Sequence, residues 1–363
     1  MVNFDPTREF WAGRRVFLTG HTGFKGSWLL VWLNRLGAEV CGYSLEPPSD
    51  PSMFATLGLQ ELCQDVRGDI NDAPALHAAM RGFDPEVVLH LAALPLVRQS
   101  YRDPVSAFQT NAIGTANVIL GCRECPSARA AVMITTDKVY ENREWCWPYR
   151  ETDALGGYDP YSASKACAEL ITDSLRRSFF HPSRHAEHHL AIASARAGNV
   201  IGGGDWGGDR IVPDAVRAFS SGKVLDVRRP DAVRPWQHVI DPLGGYLTLA
   251  RALYEGGPQF ATAWNLGPPA DHVHTVRKLV DALAAAWGPE AAWSAGQADP
   301  NLHEAGHLTL DPAMANQRLR WSTRVSFEEG IRMTAAWYRA FYSGSNSSTL
   351  RQLTSEQIGA VCG

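Results

Sequence analysis

The sequence predicts an α/β fold: a doubly wound parallel sheet with a smaller C-terminal α/β lobe. Three observations predict it. Short β-branched runs alternate with helical patterns through the first half, the order expected of a parallel sheet covered on both faces. A glycine-spaced segment, Gly20-His-Thr-Gly23-Phe-Lys-Gly26, follows the first such run and opens a helix. From about Gly203 the chain changes character, with glycine, proline, tryptophan and arginine gathered in GGGDWGGDR and RRPDAVRPWQHV, a composition that suits long functional loops.

Taken in order, RRVFLTG (14–20) reads as the first strand and SWLLVWLNRLG as the helix after it. EVCGYSL (39–45), EVVLHLAA (86–93) and AAVMITTD (130–137) read as further strands, with a helix over 111–121 between the last two. A helix beginning near Tyr161 precedes another strand within 189–202. The expected division is a cofactor domain over 1–202 and a mainly substrate-binding lobe over 203–342, which can weave back into the first. Residues 343–363 form a polar tail, expected to be mobile.

Length and composition agree with one large α/β unit or two joined lobes. The chain has 363 residues, 45% hydrophobic and 20% charged, close to the averages of globular proteins. A formal net charge of −4 without a Lys/Arg-rich run gives no electrostatic reason to expect nucleic acid. No apolar stretch approaches the roughly 18 residues needed to span a membrane. The opening MVNFDPTREFWAGRR lacks the pattern of a secretory signal. Seven scattered cysteines fit reduced thiols, and hence a cytoplasmic setting. Cys122 and Cys125 make a C-x-x-C pair with no second pair at zinc spacing, so no metal is expected.

The glycine loop fits a dinucleotide. Glycine lets the backbone turn sharply and approach a pyrophosphate, and the helix N-terminus offers N–H groups and partial positive charge. Gly20, Thr22, Gly23, Phe24 and Gly26 are the candidate contacts of a Rossmann-type site. NAD is expected over NADP: Glu46 stands slightly late for the ribose acid after the second strand, and no arginine sits there for a 2′-phosphate. Asp69 and Ile70 are candidates for the adenine side, although a helix cap explains Asp69 equally well.

Tyr161 and Lys165 lie four apart in PYSASKACAEL, which puts them on one helix face. A neighbouring ammonium favours the tyrosinate, so the phenol can exchange a proton with a sugar hydroxyl. With the glycine loop, His90-Leu91-Ala92-Ala93, Asn111-x-x-Gly114-Thr115 and Thr136 arriving in order, the chain resembles the extended short-chain dehydrogenase/reductase family of nucleotide-sugar epimerases and dehydratases, from about Arg14 to Tyr342. The resemblance implies an enzyme with a triad of Thr136, Tyr161 and Lys165, and Leu91, Ala92 and Ala93 beside the cofactor. Tyr161 and Lys165 also contact the cofactor in that pattern.

Asp137 and Lys138, after Thr136, narrow the reaction to dehydration, which needs an acid at carbon 6 and a base at carbon 5. An ordinary ion pair at a strand end is the plain alternative. Many dehydratases of the family use Asp-Glu here, and the branch acting on CDP-glucose resembles the Asp-Lys of this sequence. HTGFKGSWL, NREWCWPYRE and ARAGNVIGGGDWGGDRIVPD resemble the same branch. Departures are Leu94 for a usual glutamine in a loop expected to face cofactor or sugar, Ala163 for asparagine, Thr136 for serine and Val139 for cysteine. A 4-epimerase or a uronate decarboxylase on the same scaffold, and more remotely a non-catalytic dinucleotide-binding protein, are the competing readings.

A nucleoside diphosphate needs cationic or N–H partners. Arg210 and Arg234 suit it because guanidinium binds phosphate bidentately, and the resemblance adds Asn199. Trp206 or Trp236 is placed to stack on the base, and ordinary packing explains either as well. His238, Glu304 and His307 complete the substrate candidates, a hydrogen-bonded loop histidine being the commoner role for His238. Relatives pair through two helices, which implies a homodimer or higher homo-oligomer formed by the helices near 111–121 and 163–180.

Overall fold

The computed structural model describes residues 5–269, 272–297 and 306–362. Seven strands form one wholly parallel sheet: β1 (Arg15–Thr19), β2 (Glu39–Ser44), β3 (Gln64–Arg67), β4 (Val87–His90), β5 (Ala130–Ile134), β6 (Ala191–Ala197) and β7 (Ala263–Leu266), in the order β7-β6-β5-β4-β1-β2-β3. The order reverses between β1 and β4. A doubly wound sheet opens a crevice at such a switch point, beyond the carboxyl ends of its strands.

The strands are buried on both faces, and their side chains alternate between two cores. Val16 and Leu18 of β1 join Val87 and Leu89 of β4 on one side. Phe17 and Val88 join Ala131 and Met133 of β5 on the other. The second face is covered by α2 (Ala73–Phe83), α3 (Gly114–Gly121) and α4 (Pro160–Phe179), and the first by α1 (Phe24–Arg35) and α6 (Ile240–Gly256). The remaining long helices, α5 (Ile211–Ser220), α7 (Val276–Trp287) and α8 (Phe327–Tyr342), belong to the C-terminal half, where α7 packs on both others.

The segment expected to be a mobile polar tail is α9 (Ser347–Cys362), a helix packed on α1 and α8. The reason lies in α1, where every residue from Gly26 to Leu33 is buried. A helix apolar all round needs cover on both sides. The sheet supplies one side; α9 contributes to the other, laying Leu350 and Ile358 into the core. The C-terminal half also returns to the first: β7 pairs with β6, and α6 lies against β5 and β6. No helix among the described residues is long and apolar enough to cross a membrane.

Candidate active site

Beyond the ends of β1, β4, β5 and β6 lies a cleft of about 1130 Å³. Its first wall is the glycine loop. Gly20 has φ +76°, and a Cβ there would stand 2.7 Å from the Ala92 nitrogen. A Cβ on Gly26 would stand 2.1 Å from the Gly20 oxygen. Glycine is therefore demanded sterically at both positions. Gly23 caps α1 with no side-chain hydrogen bond, leaving the helix N-terminus open to an anion. Thr22 braces the loop, its hydroxyl 2.8 Å from Ser44 Oγ and donating to the Leu45 carbonyl. The cradle fits a dinucleotide pyrophosphate: Gly20, Thr22, Gly23, Phe24 and Gly26 line it together with Leu91, Ala92, Ala93, Asp69 and Ile70.

The helix cap that competed for Asp69 belongs to Asp72, which accepts from Ala75 N, while Asp69 Oδ1 accepts from Asn71 N. An arginine does reach the region after β2, contrary to the expectation from local sequence. Arg67 arrives from β3, donates to the Leu45 carbonyl, pairs with Asp65 at 2.8 Å and approaches Glu46 at 3.7 Å.

The second wall carries the candidate reactive groups. β5 ends at Ile134, and the turn after it presents Thr136, Asp137 and Lys138. Opposite, α4 starts sharply because Asp159 caps it, accepting from Ser162 N at 3.0 Å, with Pro160 in its first turn. This fixes Tyr161 and Lys165 on the face toward β5. Tyr161 N donates to the buried Ser100 Oγ, and Lys165 Nζ donates to the Ile134 carbonyl at 3.0 Å. Lys138 Nζ lies 6.0 Å from the Tyr161 ring centroid. All five expected catalytic residues line the cleft.

Their surroundings shift their acidity in opposed directions. Burial pushes the Tyr161 phenol up to about 12, opposed by its hydrogen bond with Thr136. Burial, assisted by the charge of Lys25, brings the Lys165 ammonium down to about 8. Asp137 is 2% exposed, and burial raises its carboxyl against the pull of Lys138, Thr136, Arg234 and Lys25. One oxygen of Asp137 accepts from Thr136 Oγ1 at 2.9 Å; the other has no hydrogen-bond partner among the described residues.

Of the expected substrate residues, Asn199, Arg210, Arg234 and Trp236 line the cleft. Arg210 already grips both oxygens of Asp205, at 3.0 and 2.9 Å. Trp236 is 7% exposed and donates to the His274 carbonyl. Trp206 also lines the cleft, but its ring packs among Trp337, Tyr338 and Phe341.

Two histidines are placed elsewhere. His238, in a two-residue strand pairing with Val200–Ile201, is buried edge-on to Trp28, and burial pushes it down to about 3. It is a core residue, because the strand pairing turns the RPWQHV loop inward. His307 does not line the cleft; its carbonyl accepts from Asn142 Nδ2. Glu304 lies outside the described residues. Leu94 is not among the lining residues either, and Pro95, Leu96 and Val97 line the cleft in that stretch. Lys25 and Arg98 line it without having been singled out from the sequence, although Lys25 stands inside the glycine loop itself.

Among the described residues no cluster of three or more His, Cys, Asp or Glu is arranged to hold a metal. Cys122 and Cys125 are buried, and burial pushes both thiols up.

With this geometry, residues 17–334 match the model of the GDP-mannose 4,6 dehydratase family. The chain belongs to that family. Within it, the chain is 45% identical to a CDP-glucose 4,6-dehydratase of Salmonella typhimurium over 340 residues, 93% of this chain and 94% of that protein. It is 32% identical to a dTDP-glucose 4,6-dehydratase of Streptomyces antibioticus over 76% of each chain. Solved structures share the fold. A UDP-glucose 4-epimerase of Thermus thermophilus in complex with NAD superposes with a TM-score of 0.72 at 26% identity, over 90% of this chain and 99% of that one. A dTDP-glucose 4,6-dehydratase of Streptomyces venezuelae reaches 0.74 at 23% identity, over 90% and 97%.

Proposed function

We propose that the chain is an NAD-dependent nucleotide-sugar 4,6-dehydratase that converts CDP-glucose to CDP-4-keto-6-deoxyglucose. The observation that carries the reading is Asp137, a buried carboxyl that lines one cleft with Tyr161 and Lys165 and has one oxygen without a hydrogen-bond partner among the described residues. The match to the Salmonella CDP-glucose enzyme along nearly the full length of both chains supports the nucleotide.

When bound in the glycine cradle, NAD supplies the two-electron oxidation at carbon 4 and the matching reduction at carbon 6. Tyr161 accepts the proton of the sugar 4-hydroxyl, with Thr136 and Lys165 holding the phenolate. The 4-ketone then acidifies the carbon-5 proton, which Lys138 removes. Asp137 gives its proton to the 6-hydroxyl, which leaves as water. The elimination leaves a double bond between carbons 5 and 6. As carbon 6 is reduced, Lys138 returns its proton to carbon 5, and the proton taken up by Tyr161 makes good the one lost by Asp137, so the net change is the loss of one water. Arg210, Arg234 and Asn199 hold the diphosphate.

The test is mass spectrometry of purified protein incubated with NAD and, separately, CDP-glucose, UDP-, dTDP- and GDP-sugars. Loss of one water from CDP-glucose alone is expected. Loss of carbon dioxide, or isomerisation without mass change, identifies a decarboxylase or a 4-epimerase instead.

The assembly that fits is a homodimer in the cytoplasm. Pro104–Phe108 and the turn after it pack on α4, and this helix pair leaves Val105, Phe108, Ile113 and Leu170 exposed. Exposed apolar groups gathered on adjoining helices suit an isologous contact.

A further inference from the structure

Lys25 is the second residue of α1, directly behind Gly23 and Phe24. Its half-buried side chain lines the cleft. Its ammonium donates to the Tyr246 hydroxyl at 3.4 Å and lies 5.9 Å from that ring's centroid. Tyr246 belongs to α6 and is fully buried, so the anchor is fixed by the core rather than by solvent. The catalytic groups described above do not account for this cation.

Its electrostatic neighbours give it a role. Asp137 and Asp205 act on Lys25 as opposite charges and Arg210 as a like charge, and together with burial they leave the ammonium at about 8. Lys25 in turn acts on Lys165, whose other charged neighbour is Glu169. It also acts on Asp137, together with Lys138, Arg234 and the Thr136 hydroxyl. When Asp137 gives up its proton, a carboxylate remains that is 2% exposed and has one hydroxyl partner. A buried charge of that kind is costly unless a cation compensates it. Lys25 supplies such a cation from a fixed anchor, without occupying the unpartnered oxygen.

We propose that Lys25 is a positioning residue of the dehydration: anchored on the Tyr246 phenol in the wall of the cleft that Asp137 and Lys165 also line, its ammonium stabilises the carboxylate left when Asp137 protonates the departing hydroxyl. The role rests on the reaction proposed above. The sign of its effect is the same at both targets. A cation holds Asp137 more acidic and Lys165 more acidic, so removing it raises both. Asp137 is needed protonated and Lys165 charged, and each form then persists to higher pH.

The experiment uses the NAD-loaded enzyme and the pH profile of kcat/KM for CDP-glucose. Lys25→Met is expected to lower the plateau at least about tenfold, in the range of a lost electrostatic contact. Its alkaline limb is expected to move up by about one pH unit, the scale of a removed neighbouring charge. Lys25→Arg restores the wild-type limb, and Tyr246→Phe moves it the same way as Lys25→Met by a smaller amount. NMR titration of Lys165 moves up in parallel in Lys25→Met. A limb and a Lys165 titration unmoved in Lys25→Met overturn the proposal, whatever the loss of rate. Should Lys25→Met not fold or not retain NAD, a limb unmoved in Tyr246→Phe overturns it. A wild-type enzyme that releases no water from any nucleotide sugar overturns the reaction instead.

Discussion

Thr136 donates its hydroxyl to Asp137 Oδ1 at 2.9 Å, and this is the single hydrogen bond to the carboxyl group of Asp137 among the described residues. The arrangement raises the proton affinity of a buried carboxyl at a cost in stability. A carboxyl whose folded value lies above the ordinary 3.8 binds its proton better in the folded chain. Its stabilising effect is full below 3.8 and is lost as pH rises through the raised value. Asp137→Asn is therefore expected to abolish water loss by roughly 10²–10⁴-fold. At neutral pH it should also raise unfolding stability by about 0.5–2 kcal/mol, the scale at which a strained active-site group is relieved. Product analysis and denaturant melts at pH 5 and pH 8 check both; a variant both inactive and less stable at pH 8 contradicts the acid role.

Lys165 and Tyr161 give the second prediction. Lys165 ties to the Ile134 carbonyl at 3.0 Å and titrates near 8, while the phenol is pushed up to about 12. The working pair needs the ammonium, so kcat/KM is expected to fall as pH rises through about 8. Lys165→Met should lose this limb along with most of the rate, because the phenol then has no ammonium to lower it. A limb that survives in Lys165→Met belongs to another group.

The meeting of these five candidate residues in one cleft was legible because their geometry is local. Tyr161 and Lys165 are one helical turn apart, and Thr136, Asp137 and Lys138 are consecutive. What the sequence concealed was non-local. Arg67 reaches the end of β2 only because β3 lies beside it. β7 joins the sheet from the C-terminal half of the chain, with no local signal of its partner β6. Leu350 and Ile358 are spaced for one helix face, yet Ser, Thr and Gln dilute the pattern, and the need for α9 is evident only from the all-round burial of α1. His238 looked like a loop histidine because its strand partner, Val200–Ile201, is distant in sequence.

The glycine loop separates steric need from mere preference. A Cβ at position 26 meets the Gly20 oxygen at 2.1 Å, whereas one at position 23 comes no closer than 3.4 Å. Gly26→Ala is expected to abolish NAD retention and lower the melting temperature, while Gly23→Ala keeps most of both. Bound nicotinamide per purified chain and thermal melts distinguish them. Equal losses in the two variants would mean that the loop rearranges freely.

The exposed apolar residues of 104–113 and α4 make their own prediction. Val105 is 71% and Leu170 59% exposed, so charge at either place costs the monomer little. Val105→Glu with Leu170→Glu is expected to convert a dimer to a folded monomer in sedimentation analysis. A wild-type chain already monomeric at working concentration refutes the assembly.

Position 94 tests whether the departure from the CDP-glucose pattern matters. The backbone of Leu94 is held at both ends by one side chain: its N–H donates to Asn111 Oδ1 at 2.8 Å, and its carbonyl accepts from Asn111 Nδ2 at 3.1 Å. Asn111 is fully buried and also donates to Ser164 Oγ, one residue before Lys165. The fold thus uses the main chain at 94, and the leucine side chain is not part of the cleft lining. Leu94→Gln is expected to leave nucleotide preference unchanged and to shift stability by no more than about 0.5 kcal/mol. Asn111→Ala leaves the Leu94 amide and carbonyl without their partner and is expected to cost about 1–3 kcal/mol. It should also raise the KM for CDP-glucose, because the Leu91–Ala93 wall and the start of α4 lose their common tie. A change of nucleotide preference in Leu94→Gln, with Asn111→Ala silent, would mean that the side chain at 94 and not its backbone shapes the site.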